Sequence, residues 1–112
     1  MTNRPARAGR DYENRVIDFL AGVYPTMERR RLTGRFDKGD FVNTGQWTLE
    51  AKNTKVIQWS QALTEAETEM QHNKTKWCAA VINRRNHGIG KSYVLMTLEQ
   101  FARLLAETEG LA

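Results

Sequence analysis

Gly39-Asp40-Phe41-Val42-Asn43-Thr44-Gly45-Gln46-Trp47-Thr48-Leu49-Glu50-Ala51-Lys52 is the stretch on which the fold turns. Asp40-Phe41-Val42 reads as a brief extended piece. Asn43-Thr44-Gly45 is turn chemistry, because Asn and Gly tolerate the left-handed backbone of tight turns. From Gln46 to Lys52 apolar and polar residues alternate, the period of a strand. Together these pieces predict a hairpin. Along its second strand Trp47, Leu49 and Ala51 share one face, and Thr48, Glu50 and Lys52 share the other. The first set suits a core. The second sets a carboxylate beside an ammonium on a strand that helices would cover, and an unpaired buried charge is expensive.

Working outward, residues 10–23 predict a helix. Tyr12, Val16, Phe19, Leu20 and Val23 recur at helical spacing, and Gly22 and Pro25 close the run. Residues 27–32 read as a short strand. Residues 56–73 predict a second helix, with Trp59, Leu63, Ala66 and Met70 on one stripe and the acids on the other side. Residues 77–83 are a buried strand, 84–91 a basic loop with glycines, and 92–96 another strand. Thr97-Leu98-Glu99-Gln100 has capping-box form and opens a last helix that runs to Gly110. The expected order is α-β-β-β-α-β-β-α. A helix between the third and fourth strands implies a crossover, so the expected architecture is α/β, a mixed sheet flanked by helices.

The chain has 112 residues, 40% of them hydrophobic and 27% charged, which fits one domain with one core. Residues 1–8 are expected to be a flexible basic lead-in and 9–112 the domain. Cys78 is the only cysteine, which excludes an internal disulfide and a cysteine-based zinc cage. No apolar run is long enough for a transmembrane helix, and the N-terminal charges are not followed by the apolar stretch of a secretory signal. The expectation is a cytosolic protein, cytoplasmic in its host, with no membrane partner. The net charge is +4, unevenly spread: residues 70–98 carry five bases (Lys74, Lys76, Arg84, Arg85 and Lys91) and no acid. A long stretch without carboxylates suits a phosphate-facing surface, because each acid would repel a polyanion.

Asp40 lies ten residues before Glu50 across the predicted turn. Two hard oxygen ligands on neighbouring strands form half of a magnesium site, with water and substrate phosphate as the remainder. Lys52, one pleat along, is placed to hold or deprotonate an attacking water or to stabilise charge on a phosphate. Glu13 lies at the edge of the first helix's apolar stripe and points toward the sheet. From the residues alone two readings stand: a metal-dependent phosphodiester centre, or a surface strand with an ordinary Glu50–Lys52 ion pair.

In the basic loop, glycines allow close approach and the forked donors of Arg84 and Arg85, with Lys91, suit a DNA backbone. Gly90-Lys91-Ser92 lacks the first glycine of a phosphate-binding loop and precedes a strand, so no nucleotide cofactor is expected. Arg29 and Arg31 share a side of their strand, where they flank the cleft or pair with Glu28, Glu65 or Glu67. His72 and His87 have no partners at metal spacing and read as surface residues or phosphate contacts. Trp47, Trp59 and Trp77 read as core or as an interface between copies.

Asp40 followed by Glu50-Ala51-Lys52 resembles the PD-(D/E)xK nuclease signature, with Gly39 where a proline often stands. Glu13, Arg29-Arg30-Arg31, Gly39-Asp40-Phe41 and Glu50-x-Lys52 together resemble the archaeal-type Holliday-junction resolvases, and still more the small phage nucleases of that kind. The resemblance covers about residues 9–105. It implies a restriction-endonuclease-like fold, with Mg²⁺ or Mn²⁺ held by Asp40, Glu50 and the Ala51 carbonyl and with Glu13 nearby. It implies a catalytic role for Lys52, a supporting glutamine at Gln61 one turn after Gln58, and a homodimer that cuts two strands of a four-way DNA junction. Asp37 competes with Asp40 as the ligand. A non-catalytic DNA-binding module, or a nuclease for flaps or plain duplex, is the alternative.

Overall fold

The computed structural model describes residues 4–31 and 39–111. The described elements follow in the order α1 (Arg4–Leu20), β1 (Glu28–Arg29), β2 (Phe41–Val42), β3 (Trp47–Lys52), α2 (Trp59–Asn73), β4 (Trp77–Ile82), β5 (Tyr93–Leu95) and α3 (Leu98–Thr108), with a 3-10 turn at Ile89–Lys91. This is an α/β fold with mixed strand pairing. β4 lies in the middle, parallel to β3 and antiparallel to β5. Its six residues are all buried, as a continuous apolar run between two covered faces requires. The β3–α2–β4 segment is the crossover that parallel neighbours need.

α1 and α2 cover opposite faces of this sheet. Tyr12 and Val16 of α1 pack with Leu49, Ala79 and Val81 from the alternating residues of β3 and β4, and Trp47 and Ala51 join them half-buried. On the other face Ala62 of α2 meets Ala80 and Ile82. Small side chains at Ala62, Ala66 and Ala80 let helix and sheet approach closely.

Four expectations need correction. The hairpin joins β1 to β2, with Glu28 opposite Val42 and Arg29 opposite Phe41, and forms a ladder apart from the three-stranded sheet. β2 touches β3 through a backbone bond from Asp40 N–H to the Leu49 carbonyl at 3.3 Å, so the turn at 43–45 leads between two sheets instead of closing one ladder. α1 begins at Arg4 and not at residue 10, so residues 4–8 belong to the helix. Pro5 in the first turn gives up no internal helical bond, and its fixed φ suits that position. α1 also ends at Leu20, which leaves Phe19 and Val23 exposed. On α2 the buried residues are Ala62, Ala66 and Glu69, so of the expected stripe Trp59, Leu63, Ala66 and Met70 only Ala66 is fully buried. The acids of α2 therefore turn partly toward the sheet.

α3 starts as its capping box predicts, the Thr97 side chain accepting from the Gln100 N–H at 3.1 Å. Gln100 reaches the start of β4, accepts from Cys78 N–H at 2.8 Å and donates to the Cys78 sulfur. Trp47 and Trp77 stack across β3 and β4 with centroids 5.8 Å apart. No helix among the described residues is long and apolar enough to cross a membrane.

Candidate active site

The site lies at the C-terminal end of β3, where the start of β2 meets it. Gly39 makes that meeting possible. Its φ is +98°, and a Cβ there would sit 3.0 Å from Thr48 Cγ2 and 3.4 Å from the Leu49 carbonyl oxygen. Only glycine combines that backbone with so close an approach. Asp40 is then pinned on both sides. Its carbonyl accepts from Arg30 N–H at 2.7 Å and its N–H donates to Leu49. Its carboxylate Oδ2 accepts from Ala51 N–H at 2.6 Å.

That last bond fixes two things at once. It aims the Asp40 carboxylate at β3, and it places the Ala51 N–H on the edge facing β2. Within a strand the N–H and C=O of one residue point to the same side, so the Ala51 carbonyl is directed to this edge as well. Asp40, Glu50 and the Ala51 carbonyl therefore come together as oxygen donors.

Burial drives the electrostatics. Desolvation, followed by the negative charge of Glu50, raises the Asp40 carboxyl to about 8, against the opposing bond from Ala51. Glu50 is only 7% exposed, and its Oε2 is buried without a hydrogen-bond partner among the described residues. Two carboxyl groups within hydrogen-bonding reach of each other, one with an orphaned oxygen, require either a shared proton or a cation. The donor set is all oxygen, which fits a hard divalent ion such as Mg²⁺ or Mn²⁺. Among the described residues no three His, Cys, Asp or Glu side chains converge to cage an ion unaided. Waters and substrate oxygens would supply the remaining positions, as is usual for Mg²⁺.

Glu13 comes from α1 to the rim of the pair. Burial raises its carboxyl, Arg29 opposes that rise, and the charge of Glu50 adds to it. Arg29 Nε lies 3.5 Å from Glu13 Oε1, so Arg29 is tied to the site through Glu13. Arg31 is exposed at the edge of the described segment, and Asp37 lies outside the described residues.

Lys52 projects from the same face of β3 as Glu50. Its Nζ lies 3.2 Å from Glu50 Oε1 and also pairs with Glu65 of α2. Burial alone would depress the ammonium, but the bonds and charges of Glu65 and Glu50 outweigh it and hold Lys52 above its ordinary value. Lys52 is thus a fixed positive charge and not a base at neutral pH. Gln61 Nε2 donates to Glu65 Oε1 at 3.1 Å. Lys52, Gln58, Gln61 and Glu65 line one pocket of about 100 Å³.

Glu65 is the member that the sequence reading left outside the site, naming it only as a partner for arginines. Its signal was available: Ala62 and Ala66, the small residues, mark the face of α2 that packs closest, and Glu65 lies between them. Arg84 and Arg85 flank a second pocket that adjoins the first through Thr54 and Ile57. Lys91 does not join them. It sits on the 3-10 turn whose Ile89 packs on the α1 side of the sheet. His87 lines the second pocket, and its Nδ1 lies 3.0 Å from the Arg85 carbonyl oxygen.

Comparison of the chain with protein-family models, with curated proteins and with solved structures finds no match to any of them.

Proposed function

We propose that the protein is a divalent-metal-dependent DNA endonuclease with a restriction-endonuclease-like fold, acting on branched DNA such as four-way junctions, as a homodimer. The observation that carries this reading is the Asp40–Glu50 pair. It is desolvated and mutually repelling, and it is set on a glycine-enforced contact between two strands. A chain maintains so costly an arrangement where a cation resolves it.

In this reading Asp40, Glu50 and the Ala51 carbonyl hold Mg²⁺ or Mn²⁺, with Glu13 supporting from the rim. When bound, the ion acts as a Lewis acid, activating water and offsetting charge on the phosphodiester. Lys52 contributes a charge already in place before the reaction. Held by Glu50 and Glu65, its ammonium orients a water or a phosphate oxygen and stabilises the negative charge that develops there. Gln61 and Gln58 add neutral hydrogen-bonding groups at the mouth of the same pocket. Arg84 and Arg85 supply phosphate contacts that position the strand.

The test is cleavage of a labelled four-way junction, a flap and a linear duplex, each with and without Mg²⁺. Glu50→Ala and Lys52→Ala are expected to abolish cleavage and leave junction binding largely intact. Undiminished cleavage by both purified variants would refute the assignment. A band shift without nicks in any wild-type reaction would favour the non-catalytic module.

A further inference from the structure

The pocket of Lys52 adjoins a second groove of about 280 Å³, and the two share Thr54 and Ile57. Lys55, Arg84, Arg85 and His87 line this groove, and no acid is among its lining residues. Arg85 Nε lies 3.5 Å from the Thr54 carbonyl, which tethers the basic loop to the segment after β3. Such a surface suits a phosphodiester chain.

Tyr93 also lines this groove, and Trp59 packs against Tyr93. Tyr93 of β5 is 37% exposed and Trp59 at the start of α2 is 44% exposed, so both rings are open to a ligand. Their centroids lie 5.3 Å apart in an edge-to-face arrangement, and the Arg84 guanidinium sits 5.5 Å from the Tyr93 centroid. The registers fix where this cluster stands. Lys52 is opposite Ile82 on β4, and Ile82 is opposite Tyr93 on β5. The three side chains form one row on the α2 face, so Tyr93 stands two strand spacings, about 10 Å, from Lys52. That is a nucleotide-scale separation from the proposed chemistry.

Aromatic rings and guanidinium planes stack bases whose faces are free, while bases in a duplex already stack on one another. We propose that this groove binds an unpaired nucleotide of single-stranded DNA, its base seated on the Arg84–Tyr93 layer beside Trp59 and its phosphates on Lys55 and Arg85. The inference rests on the nuclease reading only for its consequence: the preferred substrate carries a single-stranded segment next to the bond that is cut, as a flap or a splayed branch does.

Binding is measured on the whole chain in chelator, by anisotropy of a short labelled oligothymidylate and of a blunt duplex of equal length. Wild type is expected to prefer the oligothymidylate. Tyr93→Ala and Trp59→Ala are expected to weaken that binding about 5- to 150-fold, the loss typical of one stacked base, with little effect on duplex. Tyr93→Phe, which keeps the ring, should bind as wild type does. Trp59 is at the surface, so its variant serves if Tyr93→Ala fails to fold. Wild-type affinity for oligothymidylate in both folded alanine variants, equal losses for single strand and duplex, or a preference for oligouridylate would each overturn the proposal. The measurement uses neither metal nor cleavage. Cleavage that persists in Glu50→Ala would therefore remove the nuclease reading and leave the stacking site standing.

Discussion

Removing the charge of Asp40 gives the sharpest test of the carboxylate pair. In the folded protein without divalent ions the Asp40 carboxyl is raised from 3.8 to about 8 by burial first and by Glu50 second. The folded state therefore binds this proton more tightly than the unfolded chain does. The contribution to stability is fully present below the unfolded value and is lost as pH rises through the folded one. A shift of this size corresponds to about 5 kcal/mol at most between pH ~4 and pH ~8, a loss that belongs to the pair and not to Asp40 alone. Asp40→Asn keeps an oxygen for the Ala51 N–H and removes the titration. Urea midpoints measured across this range should fall steeply for wild type and much less for the variant. Mg²⁺ or Mn²⁺ should reverse the wild-type loss at the alkaline end, because a ligand at 100 times its dissociation constant adds about 2.7 kcal/mol. The variant should respond weakly to either ion. Equal pH dependence in the two proteins, or equal stabilisation of both by the ions, would refute the argument from repulsion to cation.

Two further outcomes follow from the same geometry. Glu65→Gln removes one of the two carboxylates that hold Lys52, a charged bond worth about 1.5–3 kcal/mol, so single-turnover cleavage should slow roughly 10- to 100-fold. The alkaline limb of its rate–pH profile should also move to lower pH, because Lys52 loses a partner that raises it; an unmoved limb would make Glu65 merely structural. Gly39→Ala should cost about 1–3 kcal/mol in urea denaturation, since the backbone is strained for any side chain and Thr48 blocks the space. Gly45→Ala, with φ +57° and only ordinary contact with Tyr24, should cost less, and equal losses would count against the tight β2–β3 approach.

The sequence made some elements legible because their local pattern and their environment agree. β4 is a continuous apolar run and is buried along its whole length. β3 alternates, and Leu49 faces the α1 core while Glu50 and Lys52 face α2. The Thr97 cap announces α3. α2 was misread for a physical reason. Large apolar residues suggested its inner face, but the helix packs by its alanines, and Trp59 stays at the surface. The partner of β2 was also hidden. Strands of two residues carry no usable period, and pairing was decided by where backbone groups find partners, with Arg30 N–H on Asp40 and Asp40 N–H on Leu49. Glu50 and Lys52 were legible as a pair because the pleat fixes their shared face, whereas Asp40 reaches them through the backbone contact of Gly39-Asp40 with β3 and not through a closed hairpin. Glu65 was missed because the inner face of α2 was assigned to its large apolar residues, when the small residues Ala62 and Ala66 mark the face that turns inward.

The distribution of counter-charges argues that the pair is built for an ion and not for Lys52. Arg29 is committed to Glu13 at the rim. Lys52 divides a single charge between Glu50 and Glu65, and only one oxygen of Glu50 shares in it. Asp40 receives the Ala51 N–H, a dipole without net charge. If the role of the site were a stabilising ion pair, the lysine would be centred between Asp40 and Glu50, where a buried pair recovers most of its desolvation cost. Glu65 instead draws the ammonium toward α2. What remains between the two carboxylates and the Ala51 carbonyl is a place with negative charge on several sides, to which no cationic side chain among the described residues is assigned. Glu65 thus has two consequences: it keeps Lys52 charged and positioned, and it leaves the proposed metal position clear of the ammonium.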